Sequence, residues 1–267
     1  MNLQLRVSFV VLVLLIGCSS HEELQPPDNP FDPGNPDYVS PNVDIISGPT
    51  EGEIIDATTV TFEWQGNELV TEYSYKLDNN AWSDWFDATS IDLEYLDEGQ
   101  HSFSVNGRYE SLTEDDTPPA VTFSVDAVLG PGLRVYPLFN EVSVGSTFDV
   151  YVYAEDVEGV VFAEIQVRYN PTVIAFSQYE NGGLLGNTSD NTILIVEDNL
   201  GVLDISLATN FIDHSGISGT GALVMLSLTG TAQGSSELVI SGVSTFLDFW
   251  NNDIPIVDIE NGVVVSN

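Results

Sequence analysis

Cysteine occurs once in the 267 residues, at position 18, so no disulfide can form within the chain and packing must supply its stability. Basic residues are almost as scarce: five Lys and Arg stand against 41 Asp and Glu, a net charge of −36. Nucleic acid is thereby excluded as a partner, because its binding runs on phosphate neutralisation by Lys and Arg. The three histidines, His21, His101 and His214, are scattered, and no G-x-S-x-G elbow or phosphate-binding G-x-x-x-x-G-K-[ST] pattern occurs. Gly216, Gly219 and Gly221 read as turn glycines. Carboxylate pairs signal nothing in so acidic a chain, and neither an enzyme nor a cofactor is expected. Calcium stays open only as relief for self-repelling charge, and solubility is the simpler reason for the acidity. Long helical patterns are also missing, and the apolar run from Val7 to Ile16 is shorter than the roughly 20 residues a membrane-crossing helix needs.

That run follows Arg6 and ends at Leu15-Ile16-Gly17-Cys18. It fits the apolar part of a secretory signal over residues 1–17. The four closing residues look like a bacterial lipobox, which implies lipidation of Cys18 and anchoring in the cell envelope, at the outer membrane or cell surface. Two or more acyl chains at about 0.8 kcal/mol per buried CH₂ hold a protein stably on a bilayer. Residues 18–41 are rich in Pro and Asp without periodicity, as in a semi-stiff, solvated linker. Asp28, Asp32 and Asp37 lack the spacing of a calcium loop.

What is abundant is β-signal. In residues 42–127 six short strands recur between turns: Val43 to Ile46, Thr59 to Trp64, Glu72 to Leu77, Ile91 to Leu96, His101 to Tyr109 and Ala120 to Val125. The stretch is similar to immunoglobulin-like or fibronectin-type-III-like modules of bacterial surface proteins, whose usual role is spacing. Trp82 and Trp85 read as core residues closing a strand end, with sugar stacking as the competing role. Gly130-Pro131-Gly132 marks a hinge before a second domain over residues 133–267.

In that domain Phe148, Val150, Val152 and Ala154 alternate with Thr147, Asp149, Tyr151 and Tyr153. Beyond a turn at Glu158-Gly159, Val161, Ala163, Ile165, Val167 and Tyr169 alternate with Phe162, Glu164, Gln166 and Arg168. A period of two means strands, and the two runs read as a strand pair closed by Asn170-Pro171. Further strands are expected near Leu133–Leu138, Val173–Phe176, Thr192–Glu197, Val202–Thr209, Ala222–Thr231, Glu237–Phe246 and Val263–Ser266. Leu203, Ile205, Leu207, Leu238 and Ile240 should point inward.

Four features of this half, in order, resemble the cohesin domains of bacterial cellulosomes. They are Val144-Gly145-Ser146 before a long strand, Gly159 then Val160 to Tyr-Asn-Pro, Ile217-Ser-Gly-Thr-Gly-Ala-Leu223, and Ile254-Pro255 followed by Asn261-Gly-Val-Val-Val265. The resemblance implies an all-β protein of two β-sandwich domains, the second a nine-stranded jelly roll. It also implies a partner: a dockerin, a small module with duplicated calcium loops, usually appended to an enzyme. The implied contacts are Glu164, Gln166, Arg168, Asp204, Ser206, Val239 and Ser241, with Asp198 and Asn199 at a loop rim. Trp250 and Phe249 depart from the family's polar turn and either fold under the sheet or lengthen its surface. A monomer that binds a dockerin-bearing, polysaccharide-degrading enzyme is the leading expectation. Direct binding of polysaccharide through Trp82, Trp85 or Trp250 is the alternative.

Overall fold

The computed structural model describes residues 29–184, 192–209 and 216–267. The signal segment, Cys18, His21, Asp28 and His214 lie outside the described residues. The chain divides into two compact units, Met1–Ser40 and Pro41–Asn267. Within the first, Asn29, Asp32 and Asn35 each accept a backbone N–H two residues on, from Phe31, Gly34 and Asp37. The repeated Asx-Pro sequence so folds into successive turns.

The second unit is two sandwiches. In the first, β1 (Val43–Ser47), β3 (Val60–Gly66) and β5 (Ser90–Leu93) form one sheet. The facing sheet is β2 (Ile54–Ile55), β7 (Ala120–Val125), β6 (Gly99–Arg108) and β4 (Glu72–Leu77). Alternation on β3 sends Phe62 and Trp64 inward, and Phe62 stacks on Phe103 with ring centroids 3.9 Å apart. Phe123 and Tyr109 complete this fully buried aromatic core.

The second sandwich starts with β8 (Gly132–Tyr136), β9 (Phe139–Val142), β10 (Thr147–Val160) and β11 (Phe162–Arg168). Next come β12 (Ile174–Asn181), β13 (Thr192–Asp198), β14 (Val202–Thr209), β15 (Ile217–Gly230) and β16 (Gly234–Ile240). It ends with β17 (Thr245–Leu247), β18 (Asp253–Ile254), β19 (Asp258–Glu260) and β20 (Gly262–Ser266). A back sheet runs β12-β15-β10-β8-β19 and a front sheet β13-β14-β11-β16-β20-β9, with the β17–β18 hairpin joined to β11. Between them lie Val150, Val152, Ala154, Ile165, Val167, Leu203, Ile205, Leu207, Leu238 and Ile240, all buried as the alternation predicts.

Two expectations change. β10 and β11 are not partners: β10 pairs with β15 and β8, whereas β11 pairs with β14, β16 and β17. Instead of turning at Glu158-Gly159, β10 runs through both on irregular register, and the chain then crosses to the other sheet. Asp156 and Gly159, at positive φ of 47° and 68°, absorb the bend. Each strand thus seals the core from its own side, which two like amphipathic strands achieve better facing each other than side by side. The nine expected strands also become thirteen, because β9, β18 and β19 are added and Glu237–Phe246 divides. Ser241 to Ser244 forms the dividing turn, in which Ser244 Oγ donates to the Ser241 carbonyl at 2.7 Å.

The expected hinge is packed from both sides. Ala127 and Val128 N–H both donate to Glu98 Oε1 at 2.8 Å, and Leu138 N–H donates to Asp97 Oδ1 at 2.8 Å. Tyr95 stacks on Phe139 at 5.7 Å, and Pro131 accepts from Val257 N–H at 2.8 Å. Arg134 sits at this junction, 6% exposed, paired with Glu155 at 3.1 Å and stacked on Tyr153 at 4.4 Å.

Candidate functional site

The front sheet turns a broad face away from the core. Register sets its rows: Gln166 lies between Asp204 and the β16 side, and Asp204 lies opposite Glu197. One row along, Glu164 stands between Ser206 and Thr245, with Ile195 beyond Ser206. At one end Ile193, Ala208, Phe162 and Leu247 form an apolar row across four strands. Every one of these side chains comes from the outward phase of its strand, which explains why the inward residues between them could all be apolar.

The polar part is ordered by its own hydrogen bonds. Arg168 Nε and Nη2 both donate to Gln166 Oε1, at 3.1 and 2.9 Å. Gln166 Nε2 in turn donates to Asp204 Oδ1 at 2.9 Å, and Asn199 Nδ2 donates to Asp204 Oδ2 at 2.9 Å. The chain Arg168–Gln166–Asp204–Asn199 therefore spans three elements with its groups already oriented, so less rotamer freedom remains to be lost on binding. Glu164, Ser206 and Val239 share the face. The backbone N–H of Ser241 donates to the Gln166 carbonyl at 2.7 Å, placing Ser241 at the edge of the same surface.

Asp198 has a different job. It accepts from the Tyr169 hydroxyl at 3.0 Å and from Gly201 N–H at 3.3 Å, which ties the β13–β14 turn to the end of β11. Burial, followed by that carboxylate, pushes the Tyr169 hydroxyl above its ordinary pKa. Asn199 stays at the rim.

Two shallow depressions mark the face. One, of about 340 Å³, is lined by Glu164, Ile165, Gln166, Asp204, Ile205, Ser206 and Val243. The other, of about 460 Å³, is lined by Arg168, Tyr169, Asn170, Ser235, Ser236, Glu237 and Val239. Sequence reasoning missed the apolar contribution. Ile193 is 62% exposed and Ile195 46%, on a strand whose alternation offered no contrast, since Leu194 and Val196 are apolar as well. Val243 was hidden inside what read as one continuous strand.

Elsewhere, Trp250 is 72% exposed on the β17–β18 hairpin, so it does not fold under the sheet. Asp248 caps that hairpin by accepting from the Asn252 side chain and from Asn252 and Trp250 N–H, each at 2.8 Å, and these bonds hold its carboxyl below the ordinary pKa. His101 is engaged by Asp78 at 2.8 Å and the Asp97 carbonyl at 2.7 Å. Among the described residues no group of three or more His, Cys, Asp or Glu is arranged to hold a metal ion. The core assignment of Trp82 and Trp85 fails: Trp82 is 40% exposed, Trp85 is half-buried, and the tryptophan that fills the first core is Trp64.

Two packed sheets with a wide, shallow, internally bonded outer face define the second sandwich as a jelly-roll module. Residues 139–265, most of the second sandwich, match the family model for the Cohesin domain. Among solved structures the chain is similar to a non-cellulosomal cohesin from the hyperthermophilic archaeon Archaeoglobus fulgidus, at 22% identity, covering 51% of this chain and 90% of that one with a TM-score of 0.43. It is similar also to the sixth cohesin of scaffoldin B from Acetivibrio cellulolyticus, solved in complex with a dockerin mutant (23% identity, 52% and 100% covered, TM-score 0.45). A type II cohesin domain from the cellulosome of the same organism aligns at 14% identity, with 50% and 94% covered and a TM-score of 0.43. No match was found among curated proteins.

Proposed function

We propose that this protein is a bacterial surface lipoprotein, anchored through Cys18, whose cohesin domain captures a dockerin-bearing enzyme that degrades polysaccharide. Residues 18–41 and the immunoglobulin-like first sandwich hold that domain away from the outer membrane, and the protein works as a monomer. A cohesin domain is a non-catalytic scaffolding module, so the role assigned is display. The observation that carries the reading is the front face itself: a polar network from Arg168 to Asn199, ordered before any partner arrives, beside the apolar row of Ile193, Ala208, Phe162 and Leu247. A polar field with a few apolar anchors suits a reversible interface of standard size.

The test is calorimetric titration of the whole mature chain, in calcium, with each dockerin-bearing protein of the source bacterium. At least one should bind with a Kd of about 1 μM or tighter. Asp204→Arg should weaken that binding by about tenfold or more without lowering Tm. Silence across the full set of dockerins would remove the proposal.

A further inference from the structure

The first sandwich carries a cavity of its own, of about 190 Å³, lined by Ser74, Trp82, Trp85, Asn106 and Glu114. Its floor is the outward face of β4 and β6, where Ser74 lies opposite Asn106. Its walls come from the segment after β4, which doubles back along that strand. Ser83 N–H donates to the Tyr75 carbonyl at 2.8 Å, and Phe86 and Tyr73 exchange backbone hydrogen bonds at 2.9 and 2.7 Å. Phe86 turns into the core against Trp64 and Tyr75, so its neighbour Trp85 is turned outward.

Each indole is backed by a cation. Arg108, paired with Glu72 at 2.7 Å, stands 4.3 Å from the Trp85 ring centre, and Lys76 Nζ stands 5.1 Å from that of Trp82. Neither cation is among the residues that line the cavity, whereas both indoles are. The floor holds a second feature: Asn106 Oδ1 is buried with no hydrogen-bond partner among the described residues. An orphaned buried acceptor is costly, and it calls for a donor.

We propose that this cavity is a binding subsite for one neutral pyranose unit whose substituents are all equatorial, as in β-linked glucosyl or xylosyl chains. Such a ring shows axial C–H groups on both faces, which suit two indole walls, and its rim carries hydroxyls that donate to Asn106 Oδ1 and to Glu114. A quaternary ammonium has no proton to give Asn106. A primary ammonium would be a third cation against rings that already hold Lys76 and Arg108. Anionic ligands meet Glu114 and a chain of net charge −36. The subsite does not depend on the dockerin reading, because it sits on the other sandwich.

The experiment is titration of the mature full-length protein with cellohexaose, xylohexaose, mannohexaose and choline. Cellohexaose or xylohexaose should bind with a Kd of about 1 mM or tighter, and mannohexaose, with its axial hydroxyl, at least about fivefold more weakly. Trp82→Ala and Asn106→Leu should each weaken binding by about tenfold, with near-UV circular dichroism and dockerin binding retained. Trp250→Ala should change nothing. If Trp82→Ala disturbs the fold, Glu114→Gln, at an exposed residue of the lining, replaces it with the same expected loss. The assignment is overturned if no hexaose binds, if choline binds in their place, or if binding survives both cavity variants or is lost in Trp250→Ala.

Discussion

Gln166 on β11 and Asp204 on β14 face each other across the front sheet and share a hydrogen bond of 2.9 Å, amide to carboxylate. Both oxygens of Asp204 are engaged, the second by Asn199, and Gln166 in turn receives Arg168. Gln166→Ala should therefore disconnect Arg168 from Asp204 and weaken dockerin binding by about three- to tenfold. Thermal stability should stay within about 0.5 kcal/mol, as for surface substitutions generally. Equal affinity for the variant and the parent chain would show that the network has no part in binding.

The exposed apolar row is a separate contribution. Ile193→Ser combined with Ile195→Ser should leave Tm nearly unchanged, because Ile193 is 62% and Ile195 46% exposed. The same pair should cost dockerin affinity about tenfold or more, since partly exposed anchors gain most of their burial only in a complex. Titration calorimetry and a melting curve on one sample decide it.

At the junction of the sandwiches, Arg134 is the cation facing Glu155, with Tyr136 and Tyr153 beside it. Arg134 is buried and Glu155 partly buried, so Arg134→Met should destabilise by about 3 kcal/mol, the lower end of the cost of stranding a buried charge. The loss should be larger at pH 8 than at pH 5. Burial already pushes the Glu155 carboxyl above its ordinary pKa despite the arginine, and without Arg134 it takes up a proton more readily still. Denaturant melts at the two pH values measure the difference, and an equal loss at both would contradict the argument.

Asp97 and Glu260 behave like Glu155, each raised chiefly by burial, with Asp258 adding repulsion at Glu260. A carboxyl raised in the folded state contributes stability that is complete below its unfolded pKa and is lost as pH rises through the folded one. The protein should accordingly melt higher near pH 5 than near pH 8. The exposed Glu53 and Asp248, both lowered by hydrogen bonds, oppose this only below the ordinary carboxyl range. Added NaCl should raise Tm more at pH 8 than at pH 5, since the net charge of −36 is then fully expressed. A Tm that climbs steadily from pH 5 to 8 in low salt would refute the assignment.

Gly201 offers a backbone test. Its φ is +97°, and an added Cβ would meet Pro171 Cδ at 2.7 Å and the Tyr169 carbonyl at 2.8 Å. Gly201→Ala should cost about 2–4 kcal/mol and loosen the Asp198–Tyr169 contact. Gly219, at φ +106° with nothing within 4 Å of a Cβ, should cost only the conformational strain of about 1–2 kcal/mol when changed to Ala. Similar melting curves for both variants would mean that the close approach at Gly201 is unimportant.

The sequence by itself determined which residues are inward. Alternation of Val150, Val152 and Ala154, or of Leu203, Ile205 and Leu207, is a local property of a pleated chain, and each such residue is buried where the pattern puts it. The all-β class was legible for the same reason, as was the outward phase that holds Glu164, Gln166, Asp204 and Val239, while the resemblance to cohesin domains rested on four short motifs in order, within the stretch that matches that family model. Alternation cannot say which sheet a strand joins. That β10 and β11 lie on opposite sides of the core, and that a glycine-proline segment is clamped by Asp97, Glu98 and Val257, follows from contacts between residues far apart in the chain. The tryptophans make the same point: alternation on β3 puts Trp64 in the core, whereas only the path of the segment after β4, doubled back on its own strand, decided that Trp82 and Trp85 line a cavity beside Asn106. Hydrophobic pattern fixes the face of a strand, and long-range packing chooses what that face meets.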